Sequence, residues 1–334
     1  MTAAEPILRI EGLEIQFSSP LGPVQAVNGV SLDIHRGETL GLLGESGSGK
    51  STIGYAILQL LRHEGTRVTA GHILLDGEDL LRASHGRMQA IRGQLVAMIF
   101  QEAMSALNPV YTIGEQIAEV LRYHEGASRR AARRRAGELC NLVGMTDPER
   151  RLDSYPHELS GGLRQRAMIA VALACRPKLL IADEPTTALD VTLQAQILEL
   201  IRDLQRETGM AVLFISHDLG VVSEVADRTA VLYGGRIVEQ GSTQTLLQQP
   251  LMPYTRGLLD SLPQAATGRR LSTIPGGVPD PRALPSGCAF HPRCRFAIKD
   301  CALSAPSLEE TSGGRQVRCM RWRELRATAS EASV

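Results

Sequence analysis

Between the apolar run Thr39-Leu40-Gly41-Leu42-Leu43 and a helical pattern that starts at Lys50 lies Gly44-Glu45-Ser46-Gly47-Ser48-Gly49-Lys50-Ser51. This octapeptide fills both glycine positions and the Lys-Ser pair of a phosphate-binding loop, and its flanks are the strand and the helix that the motif requires. Glycines let the backbone curl until successive N–H groups face one point. The helix beyond turns its positive dipole end toward that point, and Lys50 adds a full charge. Ser51 is then placed to hold Mg2+. A plain glycine-serine turn is the bland alternative. The chain has only three lysines, Lys50, Lys178 and Lys299, so a rare residue in the one position that the motif demands favours phosphate.

Outward from this loop, residues 7–17 and 24–34 read as strands separated by a Ser/Pro/Gly turn at 18–23. The helix is expected over 50–61, and strands over 72–75 and 95–100. Helical periodicity over 112–124 and 128–143 marks a helical insert. Beyond it, strands at 178–182 and Ala211–Ser216 alternate with helices at Val191–Thr208 and 219–226, a βα alternation that implies an α/β fold with a parallel sheet. Residues 229–233 and 236–239 flank Gly234-Gly235, whose glycines permit a two-residue hairpin turn. The unit is expected to close near Gly241, and the prolines between 250 and 287 predict an extended surface connector there.

Composition narrows the function classes. The 334 residues are 43% hydrophobic, 22% charged and 4% aromatic, the balance of a globular chain with a sizeable core. Thirty-six basic residues offset 36 acidic ones, so a generic polyanion-coating role lacks its electrostatic basis and anion binding has to be local. The arginine run within 129–135 reads as a solvated helix face in a chain that uses arginine almost to the exclusion of lysine, and no nucleic-acid partner is expected. The longest apolar run, 167–175, is too short to span a bilayer, and residues 1–9 lack the pattern of an export signal; a cytosolic location is the expectation.

Two further segments carry chemistry. Leu179-Leu180-Ile181-Ala182-Asp183-Glu184 sets two carboxylates at the end of a buried apolar strand, where burial without a cation is costly. With a phosphate loop in the same chain, Asp183 is the natural Mg2+ partner and Glu184 is placed to polarise an attacking water. Ser160-Gly161-Gly162-Leu163 precedes the apolar helix at 167–175, and its open backbone at a helix start is either a second anion cradle or an ordinary N-cap.

Taken together, these segments resemble the nucleotide-binding subunits of ABC transporters, over residues 7 to about 245. The resemblance implies a P-loop NTPase (RecA-like) core with an N-terminal antiparallel β-subdomain, a helical subdomain at about 102–168 and a nucleotide-binding domain spanning 1–245. Ser160, Gly161 and Gly162 match the family's signature segment, although Leu163 stands where glutamine is usual. Gln101 matches the Q-loop, which senses Mg2+ and water; Ala188-Leu189-Asp190 the D-loop; His217 the switch histidine at the γ-phosphate; and Phe17 the aromatic that stacks on adenine. Thr52 joins Gly44, Glu45, Ser46, Gly47, Ser48, Gly49, Lys50 and Ser51 as a nucleotide contact, with Ser51, Gln101 and Asp183 around Mg2+ and Glu184 as general base. In the family two such units pair head to tail, each signature closing over the ATP held by the other's phosphate loop.

The tail sharpens the resemblance. Pro253-Tyr254-Thr255, Leu262-Pro263, Ile274-Pro275-Gly276 and Gly287-Cys288 resemble the C-terminal extension of dipeptide and oligopeptide importer ATPases, with Met252 where a histidine is usual, and define a loop-rich region at 246–334. Cys288, Cys294, Cys301 and Cys319 sit in it at spacings wider than zinc knuckles. Family members with these cysteines carry a [4Fe-4S] cluster, which is the expectation here as a structural staple; zinc and unligated thiols are the alternatives, and His291 is an optional ligand. The resemblance further implies a second, unlike ATPase chain and two transmembrane permease subunits as partners, an extracytoplasmic peptide-binding protein as an indirect one, and peripheral attachment to the cytoplasmic side of the cell membrane. Nickel or glutathione as cargo, or a soluble ATPase acting on nucleic acid or ribosomes, are the competing readings.

Overall fold

Leu8, Ile10, Leu13 and Ile15 alternate with exposed or half-buried neighbours along the first strand, Leu8–Phe17, and the alternation slips one place where Gly12 takes a left-handed φ of 55°. Facing it, Gly71 has φ 95°, and a Cβ there would come within 2.6 Å of the Glu11 and Gly12 carbonyl oxygens. The two glycines build a bulge that keeps both hydrophobic sets on one side of the sheet. A computed structural model describes residues 5–20, 22–61, 65–187, 189–262, 273–311 and 313–331.

The chain divides into two units, Met1–Ile7 with Ile34–Glu38 and Arg82–Phe214, and Leu8–Asp33 with Thr39–Leu81 and Ile215–Val334. In the first, the strand Val96–Ile99 runs parallel to Leu179–Asp183, pairing Val96 with Leu179 and Ile99 with Ala182. Both strands are buried along their length, as parallel strands covered on two faces must be. The helical insert follows the predicted boundaries closely. Thr112 opens Ile113–Glu125 with a capping box to Glu115, and Ser128 opens Arg129–Leu142. The arginine run lies on the latter helix, which buries Ala132, Ala136, Leu139 and Cys140 instead. Gly161–Ala172 is buried around much of its circumference, including Gln165.

In the second unit a four-stranded antiparallel sheet has the order Val24–Ile34, Leu8–Phe17, Arg67–Leu75, Glu78–Asp79. The third strand starts five residues before its predicted beginning at 72, its added residues being solvent-facing and thus lacking the hydrophobic alternation that marks a strand. Thr39–Leu43 pairs in parallel with Arg228–Tyr233, which turns through Gly234 and Gly235, at φ 56° and 76°, into Arg236–Ser242. The helix expected over 50–61 ends at Ile57, before Gln59 enters the left-handed region.

Within the proline-rich stretch read as an extended connector, the structure instead forms a helix, Pro253–Asp260. Proline at the first helical position costs nothing, because its missing N–H would have no intrahelical partner there. The extension also adds strands: Gln316–Val317 pairs with Arg236–Ser242, and Glu309–Glu310 pairs with Gln316–Val317 in turn. An ion pair between Arg315 and the fully buried Glu239 holds this edge, and Glu239 also accepts the Leu251 and Met252 N–H groups at 2.8 and 3.2 Å. Ala188 and Pro263 lie outside the described residues. Among the described residues no helix is long and apolar enough to cross a membrane.

Candidate functional site

The phosphate loop leaves a fully buried strand and enters the helix Lys50–Ile57. Gly49, at φ 100°, occupies the helix N-cap without a side-chain cap, which leaves the first helical N–H groups uncovered by any cap of their own. A Cβ on Gly44 would lie 2.4 Å from the Leu232 carbonyl oxygen, and one on Gly49 would lie 2.4 Å from that of Ala26. Both positions therefore admit only glycine. At Gly47, φ 78° makes the same demand through the backbone. Lys50, 5% exposed, folds back over the loop and donates from Nζ to the Gly44 and Glu45 carbonyl oxygens at 2.7 and 3.0 Å. The Ser48 hydroxyl is buried with no hydrogen-bond partner among the described residues. A curled loop with a lysine ammonium drawn across it and a polar group held ready is a cradle for a polyanion. Ser51 and Thr52 follow in the first helical turn.

His217, in the same unit, is exposed immediately after the buried Ala211–Ser216 strand. Its neighbour Asp218 caps the next helix, Leu219–Val225, accepting the Gly220 N–H at 2.7 Å, which fixes the turn that carries the histidine. Phe17 ends the first strand, half-buried.

The other unit gathers a second set. Asp183 closes its strand fully buried, and Glu184 takes a left-handed φ of 46°, a conformation that costs a non-glycine residue about 1–2 kcal/mol. Strain of this kind is maintained where the surroundings over-determine it. Here the Glu184 carboxylate accepts the Gln101 side-chain amide at 3.1 Å and the Thr187 hydroxyl at 2.9 Å. Ser160 is the N-cap of Gly161–Ala172, its hydroxyl accepting the Leu163 N–H at 3.4 Å. Gly161 is open, whereas a Cβ on Gly162 would meet Leu193 Cδ2 at 2.3 Å. Leu193 belongs to Val191–Thr208, the helix that Asp190 caps through the Leu193 N–H at 2.9 Å. The signature-like turn and the Asp190 turn are thus packed together through a glycine.

Three residues that sequence reasoning passed over bear on these sets. Thr187 holds Glu184, and the buried Gln165 amide donates to the Pro185 carbonyl at 2.6 Å, tying the helix after Gly162 to the turn after Glu184. Arg293, discussed below, reaches Glu45. The identity of Gln165, an amide in an apolar helix, is the one local signal among them.

The cysteine-cluster expectation is overturned. Cys288, Cys294, Cys301 and Cys319 do line one small cavity, of about 20 Å3, together with Phe290 and Leu325. Yet among the described residues no group of three or more His, Cys, Asp or Glu side chains could hold a metal ion. Spacing brings the four sulfurs to one small apolar cavity without making them a ligand set, and burial there pushes the Cys288 and Cys294 thiols up and Cys319 up to about 12. The cavity itself is of the size that one water needs. The iron–sulfur assignment, its zinc alternative and the optional His291 are set aside; His291 Nδ1 lies 3.0 Å from the Cys288 carbonyl oxygen. These sulfurs act as small apolar side chains closing the tail's own core.

Comparison with known proteins agrees with this geometry. The model of the ABC transporter family matches residues 27–187, and that of the oligopeptide/dipeptide transporter C-terminal region matches residues 238–301. A Brucella abortus (strain 2308) protein named as a peptide import ATP-binding protein is 50% identical over 335 residues, covering 97% of this chain and 99% of its own. The oligopeptide transport ATP-binding protein AppD of Bacillus subtilis (strain 168) is 49% identical over 326 residues, with 97% and 99% covered. Among solved structures, the dimeric post-hydrolysis state of the ATP-binding cassette MJ0796 bound to ADP and Pi superposes with a TM-score of 0.64 at 28% identity, over 71% of this chain and 98% of that one. The chain belongs to the ABC transporter ATPases.

Proposed function

We propose that this protein is the ATP-hydrolysing subunit of an ABC importer for di- and oligopeptides. The observation that carries the reading is the presence, in one chain, of a glycine-built polyanion cradle at Gly44–Gly49 and the oligopeptide/dipeptide transporter C-terminal region at 238–301. The nucleotide-binding part spans 1–245, with its helical subdomain at about 102–168, and the extension spans 246–334.

In this reading the loop amides and Lys50 hold the ATP phosphates, with Ser46, Ser48 and Thr52 as further contacts and Phe17 against the adenine. Ser51, Gln101 and Asp183 are the groups that hold Mg2+; hydroxyl, amide oxygen and carboxylate are the hard oxygen donors that this cation takes. Bound there, Mg2+ offsets phosphate charge. Glu184 accepts the proton of the attacking water, Gln101 orients its carboxylate, and His217 contacts the γ-phosphate. Most of the rate enhancement comes from positioning and electrostatics, since phosphoryl transfer asks little covalent chemistry of the protein. Ser160, Gly161, Gly162 and Asp190 serve the nucleotide of a second subunit in a head-to-tail pair, so that ATP binding joins two ATPases and hydrolysis parts them. That second subunit is a related but different chain. Two transmembrane permease subunits hold the pair on the cytoplasmic side of the membrane, and an extracytoplasmic peptide-binding protein delivers cargo.

Extraction of the tagged chain from membranes with mild detergent tests this. Co-extraction with permease subunits and a second ATPase, with MgATP hydrolysis stimulated by peptide-loaded binding protein, is expected. Association with ribosomes or DNA at physiological salt instead would refute it.

A further inference from the structure

Glu45 places a carboxylate within the phosphate loop. A carboxylate in a site for polyphosphate repels its ligand, and the repulsion grows as water leaves. The structure shows how the charge is met. Arg293, in the tail segment between Cys288 and Cys294, donates from Nη1 and Nη2 to the two Glu45 carboxylate oxygens at 2.6 and 3.0 Å. This bidentate geometry is the strongest that a guanidinium makes. The arginine side chain is only 7% exposed, and its Nε is engaged by the Pro275 carbonyl at 3.0 Å, so the fork is fixed in place.

The backbone of Glu45 is held as well. Its N–H donates to the Tyr254 hydroxyl at 3.0 Å, and its carbonyl accepts from Lys50 and from the Ser48 N–H. Tyr254 is fully buried among the rings of Tyr233 and Phe290, with centroids 4.7 and 5.3 Å away, and burial pushes its hydroxyl well above the ordinary phenol range. It is positioned by the helix Pro253–Asp260, whose approach is anchored where Glu239 accepts the Leu251 and Met252 N–H groups. Of the three polar groups of Glu45, the C-terminal extension therefore engages two.

We infer that Arg293 and Tyr254 are positioning residues of the phosphate loop: Arg293 cancels the Glu45 charge, Tyr254 fixes the loop's entrance, and affinity for polyphosphate depends on the extension that supplies both. The inference rests on the proposed role of this loop as the nucleotide site. It gives the extension a task at the ATP site, in addition to any contact that it makes with other subunits.

The test is MgATP binding by titration calorimetry and steady-state hydrolysis, on the full chain. Arg293→Gln is expected to raise the Kd for MgATP about tenfold, equivalent to about 1.4 kcal/mol, with kcat changed far less. Adding Glu45→Gln to Arg293→Gln removes the exposed negative charge and should return Kd to within about threefold of the unsubstituted value. A merely structural arginine would show its loss and rescue in the melting temperature, with the Kd for MgATP the same in single and double variants. Arg282→Ala, which breaks an exposed pair with Asp280 elsewhere in the extension, should leave binding unchanged. Should Arg293→Gln fail to fold, Tyr254→Phe keeps the ring and removes only the acceptor; faster amide exchange at Glu45 and a Kd raised about threefold are expected, since the Glu45 N–H loses its partner. An Arg293→Gln protein that binds MgATP as tightly as the unsubstituted one, a double variant no better than the single, or a Tyr254→Phe protein unchanged in both exchange and Kd would overturn the inference. Failure of the unsubstituted chain to bind MgATP would instead overturn the nucleotide-site reading, and this inference with it.

Discussion

Gln101 donates its side-chain amide to the carboxylate of Glu184 at 3.1 Å, across 83 positions of sequence. The contact joins the end of the Val96–Ile99 strand to the turn after Leu179–Asp183, two parallel neighbours, so strand pairing alone brings the residues together. Gln101 and Thr187 donate to the same Glu184 oxygen, Oε2, and together orient the carboxylate. Replacing Gln101 by Ala should lower ATP turnover about tenfold, because Glu184, in its proposed role as general base, then keeps only one of the two groups that orient it. The melting temperature should not change, because the amide is exposed. Turnover kinetics beside a thermal melt would check both halves.

Adjacent glycines in the signature-like turn should respond oppositely to the same substitution. Gly162→Ala places a methyl group 2.3 Å from the end of the half-buried Leu193 side chain, which must turn aside, and should destabilise the chain by about 1 kcal/mol, the low end of the cost of overpacking. Gly161→Ala meets nothing within 4 Å and should leave stability unchanged or slightly raised, as alanine favours the helix. Chemical denaturation of the two variants measures the contrast.

Much of this arrangement was legible in the sequence. The phosphate loop announces itself because glycine spacing and flanking periodicity are local, and Thr112, Ser128, Ser160 and Asp190 stand at helix starts that the capping residues mark. What escaped was set by distant partners. The helix at Pro253–Asp260 hides among prolines, since its stability comes from burying Tyr254 and from Glu239 holding the residues before it. The Glu45 to Arg293 pair spans 248 positions, and no periodicity records such a contact. The cysteines misled for a related reason: spacing shows that four sulfurs can gather at one cavity but not whether they form a ligand set, and among the described residues none is formed.

The Arg315–Glu239 pair is buried on both sides, at 7% and 0% exposure of the side chains. Arg315→Met should cost about 3–5 kcal/mol by leaving Glu239 charged and buried without its cation. Adding Glu239→Gln should recover part of the loss, because the orphaned charge disappears, while the single glutamine oxygen still accepts one of the Leu251 and Met252 N–H groups that the two carboxylate oxygens share between them. Urea unfolding of single and double variants reads the coupling.

The tail thiols predict an alkaline weakness. Burial raises the Cys319 thiol from 9.0 to about 12. The unfolded chain releases this proton first, so stability is full below about pH 9 and falls as pH climbs toward 12. Denaturation midpoints measured across that range should decline, and Cys319→Ser, with a hydroxyl that does not titrate there, should flatten part of the slope.

The central claim is that this chain hydrolyses MgATP with Glu184 as the group that activates water. Phosphate release and nucleotide binding measured side by side for Glu184→Gln test it most directly. Turnover reduced at least about hundredfold, with the Kd for MgATP within about threefold of the unsubstituted protein, is the predicted result. Turnover that survives the substitution would contradict the account.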